Sequence, residues 1–66
     1  MQVMINGEPY TWSRAKSLAE AVASLTSASS GVAAAVNGEV VRRAVWASTE
    51  LEDGDKVEVL TAVQGG

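Results

Sequence analysis

The chain has 66 residues, 47% of them apolar and 20% charged, with eight acidic against five basic side chains, a net charge of −3 and a pI near 4.6. That length gives one small domain, which buries only ~60% of the surface its unfolded chain exposes, and the acidic balance argues against nucleic acid, whose phosphates want a basic face. Cysteine and histidine are both absent, which removes disulfides, thiolate nucleophiles, persulfides, the usual general base and the commonest metal ligands, so neither side-chain catalysis nor a metal site is expected.

The run MQVMI alternates, with Met1, Val3 and Ile5 on one face, and reads as a half-buried strand. Asn6-Gly7 supplies two residues that tolerate positive φ, a strong hairpin signal. The return run EPYTW is a second strand, and Pro9, lacking an N–H, places it at a sheet edge. In SLAEAVASL, Ser17 and Glu20 form a capping box, and Leu18, Ala21, Val22 and Leu25 follow at helical spacing. The small polar stretch TSASSG ends this helix, with Gly31 as breaker.

A third strand, VAAAV, puts Val32, Ala34 and Val36 on one side, and Asn37-Gly38 repeats the hairpin signal before EVV. From Arg42 to Trp46 the pattern is irregular. Asp53-Gly54 is a turn, after which KVEVLT alternates, with Val57 and Val59 inward and Glu58 outward. One helix must then cover one sheet, as a two-layer α+β domain. The first and last strands have the most apolar inward faces and belong side by side at the centre. They run parallel, because the helix-containing crossover lies between them. This is the β-grasp arrangement, over residues 1–61.

Residues 62–66 read as a flexible tail ending in Gly65-Gly66. Glycine makes up about 7% of residues, so two in the last two positions arise by chance roughly once in 200 chains. Without Cβ atoms, such a terminus threads a slot too narrow for side chains and delivers its carboxylate to a reactive centre. Fixing the five residues from Ala62 to Gly66 costs on the order of 5–10 kcal/mol of backbone entropy. A partner that grips the tail must therefore also bind the folded body.

Other features are read more plainly. Trp12 and Trp46 are core or core-lid residues. The acidic run Glu50, Glu52, Asp53 and Asp55 is a solvated turn; in its functional version, Glu50, Glu52 and Asp53 form a docking patch for a basic partner surface. Arg42-Arg43 is a solvated pair, and Ser27, Ser29 and Ser30 lack a base to activate them. No stretch reaches the ~18 apolar residues of a membrane span, and no signal pattern opens the chain. A soluble cytoplasmic protein with no membrane partner is expected.

The capping-box helix, AVNGEVVRRAVW, LEDGDKVEV and the terminal Gly-Gly together resemble the ThiS family of sulfur carriers, over essentially the whole chain. Asn37, Arg43, Trp46, Gly54 and Asp55 fall where the family's recurrent residues fall. Arg42 departs from it, since many members carry Pro there, and this is expected to loosen the loop ahead of Trp46. The resemblance implies a ubiquitin-like β-grasp fold and no enzymatic activity. It implies that the Gly66 carboxylate is adenylated by an ATP-using activating enzyme related to ubiquitin-activating enzymes, with Val63, Gln64 and Gly65 recognised as the tail. A persulfide donor then leaves a C-terminal thiocarboxylate (1-thioglycine), whose sulfur thiazole synthase takes into the thiazole ring of thiamin. No bound cofactor is implied. Three alternatives stay open: the small subunit of molybdopterin synthase, a ubiquitin-like modifier, and a β-grasp binding module with an inert tail.

Overall fold

A computed structural model describes residues 1–27 and 31–61. The expected tail, residues 62–66, lies outside the described residues, as do Ser29 and Ser30. Five strands form one mixed sheet in the order β2-β1-β5-β3-β4, from β1 (Gln2–Ile5), β2 (Glu8–Thr11), β3 (Val32–Val36), β4 (Glu39–Val41) and β5 (Lys56–Thr61). The β1 and β5 strands pair in parallel, with Met4 opposite Lys56 and Ile5 opposite Val57. The remaining pairs are antiparallel. This is the expected β-grasp sheet, with its first and last strands in the middle.

Pro9 shows why β2 sits at the edge. Met1 and Trp12 exchange both backbone bonds, at 3.1 and 2.8 Å. Hydrogen-bonded pairs alternate along an antiparallel ladder, so the Met4–Pro9 pair is a non-bonded one. The missing N–H of Pro9 thus faces away from β1 and costs the ladder nothing.

Helix α1 (Leu18–Leu25) begins at the capping box: the Ser17 hydroxyl accepts from the Glu20 N–H at 3.1 Å, and the Glu20 carboxylate from the Ser17 N–H at 3.0 Å. Leu18, Ala21 and Val22 are buried against Val3, Ile5, Ala34, Val57 and Val59 of the sheet. Several positions on the expected inward faces fall short, Met1 and Val32 among them at half-buried. Leu25, one turn beyond that buried trio, is 36% exposed, and Val36, the last residue of β3 beside an exposed turn, is only half-buried.

The irregular stretch after Arg42 is a 3-10 helix, Arg43–Ser48. Its three-residue period stacks Arg43 over the Trp46 ring, 5.3 Å from guanidinium to ring centre. Trp46 is buried, and its indole N–H donates to the Val41 carbonyl at 2.8 Å. Trp12 is half-buried beneath the Lys16 ammonium, as a lid. Arg42 takes φ −66°, the angle at which a proline ring would hold it. Arginine here follows the path a proline would impose. Leu51, which alternation did not single out, is 1% exposed. Two backbone bonds seat it: Leu18 N–H to the Thr49 carbonyl at 2.7 Å, and Leu51 N–H to the Lys16 carbonyl at 2.9 Å.

Candidate functional site

β5 is the element that leads into residues 62–66, and its setting fixes where that segment is rooted. Among the described residues, β1 pairs with β5 only at Lys56 and Val57, whereas β3 follows it to the end, with Ala33 opposite Leu60 and Val32 opposite Thr61. β5 therefore ends beside the start of β3. Val57 and Val59 point into the core, so Lys56, Glu58 and Leu60 take the other face, which α1 does not cover.

That open face is apolar at the root. Val40 is 80% and Leu60 69% exposed, and together with Ala33, Ala35 and Glu58 they line a shallow hollow. Toward the other end, a wider hollow between the two Asn-Gly turns is bordered by Met4, Lys56 and Glu58. The sequence carried the signal for Leu60, which occupies the outward phase of a strand whose inward phase already holds Val57 and Val59.

The acidic run sits elsewhere. Glu50, Glu52 and Asp53 are exposed in the connection before β5. They lie at the far end of this six-residue strand from the tail root, roughly 20 Å of extended chain away. Two members of the run have structural work. The Asp53 carboxylate accepts from the Gln2 N–H at 2.6 Å. Asp55 accepts from the Glu52 N–H at 2.8 Å and from the Asn37 side-chain amide at 3.0 Å. The expected tail residues Val63, Gln64, Gly65 and Gly66 lie outside the described residues. The structure thus adds an apolar face at the root and separates the acidic patch from it.

Comparison with known proteins places this geometry. Residues 3–66 match the ThiS family. Over all 66 residues the chain is 35% identical to the uncharacterized protein ycf40 of Porphyra purpurea and 38% identical to that of Pyropia yezoensis, covering 93% of each. It is 27% identical to the sulfur carrier protein ThiS of Escherichia coli strain K12, with both chains covered completely. The crystal structure of the thiamine biosynthesis protein ThiS from Geobacter metallireducens overlays with a TM-score of 0.80 at 33% identity, each chain covered in full. A solution structure of a thiamine biosynthesis protein from that organism gives 0.81 at 33% identity, covering all of this chain and 88% of the other. With the sequence pattern matched from Val3 to Gly66 and the fold shared to that degree, this chain belongs to the ThiS family.

Proposed function

We propose that this protein is a sulfur carrier for thiazole formation in thiamin biosynthesis, with the Gly66 carboxylate as the attachment point. The observation that carries the reading is that the family match runs through Gly66, so the Gly-Gly end is inside the matched pattern. The absence of Cys is compatible with it, since the reading places the sulfur on the backbone terminus.

The chemistry starts from a poor electrophile. A carboxylate oxygen attacks the α-phosphorus of ATP on a partner adenylyltransferase, and pyrophosphate leaves. The resulting mixed anhydride presents an activated carbonyl carbon. The terminal sulfur of a donor persulfide attacks that carbon and AMP departs, forming an acyl persulfide. A second thiol then cleaves the S–S bond, forming a disulfide with the donor sulfur and leaving the thiocarboxylate. Thiazole synthase consumes that sulfur. ATP belongs to the partner, and this chain serves as a substrate rather than a catalyst, in the cytoplasm.

In this reading residues 1–61 are the handle and residues 62–66 the arm. Val63, Gln64 and Gly65 are the recognised stretch, and the absence of Cβ at Gly65 lets it pass a narrow channel. Ordering the arm costs free energy that contacts with the body must offset. The exposed Leu60, beside the root, and Val40, two strands over at the level of Glu58, supply apolar area for that contact.

The test alters the end of the chain without touching the fold. One Ala added after Gly66 should change stability by less than about 0.5 kcal/mol, since the buried core of the described residues runs from Val3 to Val59. It displaces the carboxylate by over ~3 Å, where ~1 Å can cost about 100-fold in rate. Each form is incubated with its activating enzyme, ATP and a sulfur donor, and mass spectrometry follows the exchange of one terminal oxygen for sulfur. Wild type should convert, while the extended form and Gly65→Ala should be severely impaired. Equal conversion of wild type and the extended form would refute the mechanism.

A further inference from the structure

The two Asn-Gly turns share a device that hairpin geometry alone does not require. Both asparagines lie at φ 52°, followed by glycines at φ 82° and 86°, between the closing pairs Ile5–Glu8 and Val36–Glu39. These are the positive-φ positions of a type I′ turn. At each turn the asparagine main-chain N–H still donates to β5, Asn6 to the Val57 carbonyl at 2.9 Å and Asn37 to the Lys56 carbonyl at 2.7 Å, and the asparagine side chain takes the next bonds of the ladder. On the β1 side, Asn6 accepts from the Val59 N–H at 2.9 Å and donates to the Val59 carbonyl at 3.1 Å. On the β3 side, Asn37 accepts from the Lys56 N–H at 3.0 Å and donates to Asp55 at 3.0 Å. A primary amide carries donor and acceptor side by side, as a peptide does, and a carboxylate carries acceptors only.

Asn-Gly is also the dipeptide best suited to backbone attack on its own side chain, because glycine leaves its amide nitrogen unhindered and the chain free to turn. The glycine N–H loses its proton, the nitrogen bonds to the asparagine Cγ, and the Cγ–NH2 bond breaks to release ammonia. Water then opens the five-membered imide at either carbonyl, giving aspartate or isoaspartate. Each event consumes one water, releases one ammonia and involves no redox change. Both asparagines are exposed, so water reaches them.

We propose that Asn6 and Asn37 form a paired deamidation site on β5, guarded by the fold: the amides' bonds to β5 and Asp55 hold each Cγ away from the glycine nitrogen, and loosening of β5 releases them. Asn37 reacts first, because one of its two side-chain partners is the side chain of Asp55, whereas Asn6 is held twice by the backbone of a central strand. The product cannot restore the ladder. A carboxylate at position 6 opposes the Val59 carbonyl, and one at position 37 opposes the Asp55 carboxylate, so the change is a one-way weakening of the strand that leads to residues 62–66. The inference does not depend on what the chain carries.

The full-length protein is aged in mildly alkaline buffer, folded and in urea, and peptide mass spectrometry with enzymatic isoaspartate labelling follows each site. Both sites should convert at similar rates in urea and about tenfold or more slowly in the folded chain, as expected for two lost hydrogen bonds in an opening equilibrium. Asn37 should lead Asn6 when folded. Equal rates in the two conditions, or Asn6 leading, would overturn the proposal. Asn6→Asp and Asn37→Asp, purified directly, should each unfold at lower urea than wild type, and unchanged midpoints would overturn the claim that the product cannot restore the ladder.

Discussion

Ser17 and Glu20 show how much one local exchange of hydrogen bonds determines. Together they satisfy two orphan amides at the start of α1, and Leu18, the next residue, is completely buried. Glu20 also meets Arg14 at 3.1 Å. Its carboxyl is held below the ordinary range, first by the Ser17 backbone N–H and then by Arg14. A carboxyl depressed in the folded state favours folding above its unfolded value, and that contribution fades as pH falls through the folded value. Ser17→Ala should cost ~1 kcal/mol, a drop of about 4–8 °C in Tm for a domain of this size. Glu20→Gln keeps an acceptor for Ser17 but removes the charge. Its Tm deficit should therefore be present near neutral pH and shrink on acidification below the carboxylate range. A deficit independent of pH in thermal melts would contradict the charge's role.

β5 is the element on which the others converge. It takes β1 on one side and β3 on the other, sends Val57 and Val59 into the core, and receives an asparagine amide from the turn at each side. Its outer face belongs to recognition in the proposed function. Leu60→Ser and Val40→Thr remove exposed apolar surface from positions that contribute little to the core. Folding stability should move by about 0.5 kcal/mol or less. The KM of the activating enzyme for the double variant should rise about tenfold or more if these residues anchor the complex. An unchanged KM would leave the open face as ordinary surface.

At the scale of the molecule, two surfaces stand at opposite ends of β5, apolar at the root and acidic at the start. The charge of −3 biases encounter toward basic partners, and Glu50, Glu52 and Asp53 concentrate part of it. If that patch steers docking, Glu50→Gln, Glu52→Gln and Asp53→Asn together should slow association and flatten its salt dependence, with little change in dissociation. Asparagine at 53 still offers the oxygen that Gln2 requires, so β1 stays attached. Stopped-flow association rates at low and high salt decide this, and rates equal to wild type return the patch to the role of a solvated turn.

The sequence alone determined what depends on neighbours in the chain: the alternation of β1 and β5, the capping box, both Asn-Gly turns, and the edge position of Pro9. From those, one helix over one sheet with its end strands central was the consistent solution. The ThiS pattern was legible in the residues as well. Tertiary structure decided what depends on distant partners. Leu51 is core because a bridge to the segment before α1 seats it there, and the stretch after Arg42 becomes a 3-10 helix because Trp46 is drawn inward toward the Val41 carbonyl. The same holds for the asparagines. Their turns follow from dihedral preference, a local property, but their bonds to β5 join residues 53 and 19 positions apart. Only the closed sheet brings those groups within hydrogen-bonding distance.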